Sequence, residues 1–164
     1  MNAARNRLAL AALALSCAAA APALAQSNAQ SIGAEADISG YWEFETKRYD
    51  YGCKMTGEMT IAPAETEGEY VGELIAREKC DGITLETGEI FGPVEYYAEQ
   101  TVVATRDGEA LTIVSTLVRI DPPSTSYWPD DFVLEIIDGA LMMGELRSAD
   151  IAPVAFFRGD APIA

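Results

Sequence analysis

From Ile38 onward apolar and polar residues alternate with a period of two, and helical spacing never persists. Such a period puts successive side chains on opposite faces of the backbone, the geometry of a half-buried strand. The clear runs are YWEFET (41–46), CKMTGEMTI (53–61), EYVGELIARE (69–78), YYAEQTVVAT (96–105), ALTIVSTLVRI (110–120), FVLEIID (132–138), ALMMGELRS (140–148) and VAFFR (154–158). A weaker run, ITLETGEI, covers 83–90. ETEG, RDGE and IDGA separate several of them and read as hairpin connections. Short strands joined by tight turns, without long crossovers, predict an all-β chain. The expected fold is a single antiparallel up-and-down β-barrel of about eight strands over residues 38–160.

The first 25 residues place the chain outside the cytoplasm. Arg5 and Arg7 form a cationic head, Leu8 to Leu15 an apolar core, and Ala23-Leu24-Ala25 a small-residue cleavage site. This is a secretory signal peptide, with an apolar core too short for a membrane-spanning helix. Lipidation at Cys17 is disfavoured, because Ala14 and Leu15 stand where a leucine and a small residue belong. Cleavage near Ala25 predicts a periplasmic or secreted product of 139 residues, 25 fewer than the 164 of the full chain. Residues 26–37, QSNAQSIGAEAD, are small, polar and aperiodic, and read as a mobile tail. The 139 residues fit one domain.

Cleavage removes two of the 11 basic residues and none of the 26 acidic ones, so the net charge moves from −15 to −17. That balance argues against nucleic acid and anionic lipid, which need basic patches. It keeps a secreted protein soluble and suits a cationic partner.

Once Cys17 has left with the signal peptide, Cys53 and Cys80 remain. In an oxidising compartment two such residues pair. The register supports the pairing independently. Opposite residues of an antiparallel hairpin share a constant sum, and 53 with 80 centres the turn between Thr66 and Glu67, inside ETEG. A disulfide closing this loop contributes roughly 3–4 kcal/mol. The same register sorts the faces. Met55, Gly57, Met59 and Ile61 lie inward with Tyr70, Gly72, Leu74 and Ala76. Lys54, Thr56, Glu58 and Thr60 lie outward with Val71, Glu73, Ile75 and Arg77. Inward Gly57 and Gly72 leave space or permit bending. With the adaptable Met55, Met59, Met142 and Met143, they make a modest apolar cavity plausible.

The chain has no histidine. Ser-His-Asp and Cys-His catalysis, histidine-held metals and the usual neutral-pH base are therefore absent. No G-x-S-x-G elbow, P-loop or dinucleotide loop appears. No cofactor or metal is expected. Glu43 with Glu45, Glu67 with Glu69, and Asp130 with Asp131 are the paired acids, and all read as solvated surface groups. A calcium role for Asp130 and Asp131 lacks EF-hand spacing.

Parity on the first strand puts Trp42 and Phe44 inward, and Tyr41, Glu43 and Glu45 outward. Trp42 is a core plug, a pocket wall or both. The candidate ligand-facing interior is Trp42, Phe44, Met55, Met59, Tyr70 and Leu74. The longest break between strong strands, DPPSTSYWPDD (121–131), is the candidate binding loop, with Tyr127, Trp128, Asp130 and Asp131. Trp128 there is either an exposed binding aromatic or a lid over the barrel mouth.

Gly40 and Trp42 at the start of the first strand resemble the calycins, the lipocalin and avidin-like barrels. That resemblance implies a tryptophan closing one barrel end against a late-strand arginine, here Arg158, and a small-ligand site. The T-D-Y turn of lipocalins and the tryptophans of an avidin site are missing. Gly40, Trp42, Cys53, Cys80 and YWPDDFVLEIID also resemble bacterial periplasmic metalloprotease inhibitors of the β-barrel type. In those an N-terminal tail enters the protease cleft, which would give residues 26–38 that task. The stretch from about Asp81 to Asp121 is longer than such inhibitors usually have. The expectation is an exported, non-catalytic binding protein for a small apolar ligand or a protein surface. The alternative is a protease inhibitor acting through its tail.

Overall fold

The computed structural model describes residues 36–84, 90–124 and 127–160. The expected signal peptide, residues 1–25, and residues 26–35 of the expected tail lie outside them. Ten strands follow in chain order: β1 (Gly40–Thr46), β2 (Cys53–Pro63), β3 (Glu69–Cys80), β4 (Ile83–Thr84), β5 (Ile90–Phe91), β6 (Val94–Asp107), β7 (Ala110–Asp121), β8 (Asp131–Ile136), β9 (Leu141–Arg147) and β10 (Ile151–Arg158). Eight of them close into a barrel, in the order β1-β10-β9-β8-β7-β6-β3-β2, and every neighbouring pair is antiparallel. The all-β, up-and-down barrel expected from the two-residue period is the observed fold. Among the described residues the one helical element is a 3-10 turn at Asp50–Gly52, and no helix is long and apolar enough to cross a membrane.

Cys53 pairs with Cys80 in the β2–β3 ladder, and their sulfurs are bonded. Ala64 N donates to Glu69 O across the turn, so the register is the one the cysteines imply. The weak run at 83–90 departs from its expected place as a barrel strand. Its two ends, β4 and β5, pair with each other as a separate hairpin between β3 and β6, and residues 85–89 lie outside the described set.

The core is filled from all sides. Phe44, Phe132 and Phe156 meet at centroid distances of 4.9–5.5 Å, one pair stacked and two edge-to-face. Met55, Met59, Ile61, Leu74, Leu111, Ile113, Met142 and Leu146 complete the cluster. Of the two roles the sequence leaves open for Gly57 and Gly72, added space or strand bending, the structure excludes added space. A Cβ on Gly57 would stand 2.1 Å from Ile75 O and 2.5 Å from the Phe44 ring, and one on Gly72 would stand 1.9 Å from Thr60 O. Their missing side chains let backbone and ring approach closely, which is how a small barrel bends its wall.

The two ends of the barrel differ. At one end the tail enters. Ile38 is fully buried and its carbonyl accepts from Trp42 Nε1 at 2.9 Å. The Arg158 guanidinium lies 4.6 Å over the Trp42 ring and donates to the carbonyls of Asp37, Ser39 and Gly139. Arg106 donates to Ala36 O at 2.6 Å. Ala36 and Asp37, read as the end of a mobile tail, are thus tied to the rim. The other end carries the β1–β2 and β9–β10 connections, the β4–β5 excursion and the loop before β8.

Candidate functional site

The end opposite the tail holds a recess of about 80 Å³, lined by Tyr49, Met55, Glu78, Tyr96, Ser124, Tyr127, Trp128, Asp130, Leu146, Ser148, Ala149 and Asp150. It exists because inward positions that are apolar along most of the barrel turn polar here. On β3 the inward row Leu74, Ala76, Glu78, Cys80 includes an acid. On β6 the row Ala98, Gln100, Val102, Ala104 includes an amide, and on β7 Ser115 follows Leu111 and Ile113. The β7–β8 ladder stops at Ile113 and Phe132, and Ser115 takes over its bonding. Its amide donates to Asp131 Oδ1 at 2.7 Å and its hydroxyl to Asp130 O at 2.6 Å.

Asp130 is the centre of this cluster. It is completely buried, which corrects the reading of Asp130 and Asp131 as a solvated pair. Gln100 Nε2 and the Tyr127 hydroxyl both donate to its Oδ2, at 2.5 and 2.6 Å. Its own amide donates to Gln100 Oε1 at 2.9 Å. Asp130 Oδ1 has no hydrogen-bond partner among the described residues. Ser148 stands beside the carboxyl and lowers it, while its hydroxyl donates to Trp128 O at 3.1 Å. Burial drives the Asp130 carboxyl up to about 6, against the lowering effect of Tyr127, Gln100 and Ser148 and with a further push from the charge of Glu78. Asp131, half-buried, is held by the Ser115 amide.

Tyr49 donates its phenol proton to Glu78 Oε1. Burial raises Glu78 above the usual carboxylate range, opposed by that hydrogen bond and assisted by the charge of Asp150. Asp150 is raised by desolvation and by Asp50. Both phenols, Tyr49 and Tyr127, are pushed up by burial and by the carboxylates they face. All of this follows from carboxylates sharing a poorly hydrated space.

The predicted site residues are distributed as follows. Trp42, Phe44, Met55, Met59 and Leu74 do face inward, but they are buried against one another in the core. Of that set only Met55 borders the recess, and Tyr70 is half-buried at the tail end of β3. The loop residues Tyr127, Trp128 and Asp130 come together at the recess, with Trp128 65% exposed on its rim. Tyr49, Glu78, Gln100, Ser115 and Asp150 were not singled out from the sequence. For Glu78, Gln100 and Ser115 the available signal was a polar residue standing in an otherwise apolar inward row.

One group offers three ligating atoms within 4.8 Å of one another: Cys53, Glu78 and Cys80. Its two sulfurs are already joined to each other, so it is not a metal-binding set.

An eight-stranded antiparallel barrel with a filled core and one acidic, aromatic-rimmed mouth is the class these features define. No family model matches the chain, and no curated protein matches it in sequence. Among solved structures it is similar to a de novo designed fluorescence-activating β-barrel, at 15% identity and a TM-score of 0.48, over 74% of this chain and 93% of that one. It is also similar to a redesigned β-barrel, at 14% identity and a TM-score of 0.46, over 75% and 92% of the respective chains.

Proposed function

We propose that the chain is an exported, non-catalytic binding protein that engages its partner at the barrel mouth. The observation that carries this reading is Trp128. It stands 65% exposed on the rim of a recess whose wall includes a completely buried carboxylate. A large aromatic held in water costs hydration free energy and is commonly retained for contact. Function at the mouth is also supported by the rest of the barrel being packed: an apolar ligand inside would have to displace the Phe44, Phe132 and Phe156 cluster. The partner is a small ligand or a protein surface meeting the mouth. Absence of histidine, and a recess too small for a polymer substrate, support a binding role over a hydrolytic one. A calycin-like kinship draws support from Arg158 lying over Trp42 beside Gly40.

Native mass spectrometry of the chain isolated from its own host tests the mouth directly. The wild type should retain an adduct or partner that Trp128→Ala loses. Equal occupancy in both, or a consistently empty wild type, would sink the reading. Sequencing the N-terminus of the same sample tests export, with cleavage expected near Ala25.

Protease inhibition through the tail is the second reading. What favours it is the anchoring of Ala36 and Asp37 by Arg106 and Arg158. That anchor is at the end opposite the mouth, so the two readings are separable. Removing residues 26–35 should abolish inhibition of secreted metalloproteases while leaving mouth binding intact; unchanged inhibition would rule the tail out.

A further inference from the structure

We propose that the recess at the mouth recognises a primary ammonium group, carried by a free aliphatic amine or by a lysine side chain. This rests on the mouth being the binding surface and adds the chemistry it selects.

The first support is a count of donors and acceptors. Tyr49 donates to Glu78, Tyr127 to Asp130 and Ser148 to Trp128 O. These three hydroxyls have committed their protons, so they turn lone pairs toward a ligand. Carboxylates from three separate elements, Glu78 on β3, Asp130 before β8 and Asp150 between β9 and β10, complete the wall, and no Lys or Arg lines it. A wall so rich in acceptors repels anions and satisfies a donor.

The second support is independent of the cluster of acids. Asp130 is fully buried, contributes to the recess wall, and leaves Oδ1 without a partner among the described residues. A buried carboxylate without a counter-charge is costly. Every neighbouring charge that acts on Asp130, Glu78 and Asp150 is acidic. The recess therefore lacks a cation that the fold does not supply.

Geometry then selects the type of cation. Glu78 and Asp130 each have one oxygen engaged by an internal donor, so neither presents a free pair of oxygens to a planar guanidinium fork. An ammonium group makes three single-donor contacts from a compact centre, which fits oxygens dispersed around a cavity. Those oxygens are not gathered within 4.8 Å of one another, as a divalent metal would need. The volume, about 80 Å³, is that of two or three waters or an alkylammonium head. Met55 and Leu146 offer apolar wall to a methylene stem, and Tyr96, 5.8 Å from Tyr127, offers an aromatic one.

The test uses the full mature chain, with n-butylammonium as probe and n-butanol as its neutral counterpart, followed by amide NMR shifts and Trp128 fluorescence. Butylammonium should shift the amides of Tyr127, Trp128, Asp130, Ser148 and Asp150, and butanol should not. Asp130→Asn and Glu78→Gln should each weaken binding at least about tenfold, with folding checked by the unchanged spectrum elsewhere. Binding should weaken as pH falls through 6. The titratable groups of the wall are Tyr49 from the β1–β2 connection, Glu78 from β3, Tyr96 from β6, Tyr127 and Asp130 from the loop, and Asp150, on which Asp50 acts. Equal shifts from butanol would overturn ammonium recognition while leaving the mouth as the site. Shifts elsewhere, or none, would overturn ammonium recognition, and the mouth as the binding surface would then be decided by the Trp128→Ala comparison. Displacement of butylammonium by equimolar calcium would make the recess a metal site and end the proposal. Diaminopentane and Nα-acetyl-lysine amide should share the selectivity, and the tighter of the two identifies the source of the amine.

Discussion

Gln100 and Asp130 hold each other at two points: the Gln100 amide nitrogen donates to the Asp130 carboxyl at 2.5 Å, and the Asp130 backbone amide donates to the Gln100 carbonyl oxygen at 2.9 Å. Thirty residues apart in sequence, they lock the start of β8 onto the inner face of β6. Gln100→Leu keeps the volume and removes both partners. Chemical denaturation should show a loss of about 2–4 kcal/mol, since the buried Asp130 amide is left unsatisfied and its carboxyl keeps only the Tyr127 donor. A loss below about 1 kcal/mol would mean that Tyr127 and Ser115 anchor the loop without Gln100.

The mouth makes stability fall as pH rises through the weakly acid range. Asp130 titrates at about 6 in the folded chain against 3.8 as reference, so the folded state holds the proton more tightly. Its contribution is full below about pH 4 and is lost as pH passes through 6; about two pK units correspond to about 3 kcal/mol. Glu78 and Asp150 shift in the same direction. Asp37 and Glu45, held below the carboxylate range chiefly by Ser39 and Lys54, act oppositely, and only as pH falls toward their lower values. Calorimetry should give a higher Tm at pH 5 than at pH 7.5. Asp130→Asn should flatten that dependence and raise Tm at pH 7.5. An unchanged slope in the variant would show that Asp130 is not the titrating group.

Glycines of the barrel wall and of its turns should respond in opposite ways to the same added methyl. Gly72→Ala places carbon 1.9 Å from Thr60 O, and Gly144→Ala 2.0 Å from Val133 O, where only backbone movement gives relief. Each should cost more than about 3 kcal/mol or prevent folding. Gly139→Ala meets nothing within 4 Å and should change stability by less than about 0.5 kcal/mol. Comparable Tm values for Gly72→Ala and Gly139→Ala would show that the ladder is looser than its contacts imply.

Where the tail ends and the barrel begins can be located by truncation. Removing residues 1–35 should leave Tm unchanged. Removing residues 1–39 takes away buried Ile38, the acceptor of Trp42 Nε1 and two of the carbonyls that Arg158 binds. Burial of an isoleucine and the loss of those bonds predict a drop of about 3–5 kcal/mol. Equal stability of the two truncations would overturn the plug.

The β2–β3 register was legible in advance, because a disulfide and a turn specify one sum. Strand alternation identified Trp42, Phe44, Met55, Met59 and Leu74 as inward without any coordinates. Glu78, Gln100 and Ser115 occupy the same inward rows, but polar residues at inward positions break the apolar pattern that marks a core, so alternation alone does not point to them.

The meander of about eight strands, its inward faces and its staple are readable from the residues alone, since a period of two and a covalent bond act locally or along one hairpin. Where the barrel is full and where it is hollow emerges from the packing of the closed barrel. That depends on volumes from eight strands meeting at once, as when Phe44, Phe132 and Phe156 close one space and Glu78, Asp130 and Asp150 keep another open. The same closure buried Asp130, because a residue in a polar loop becomes interior only when strands distant in sequence come round to cover it.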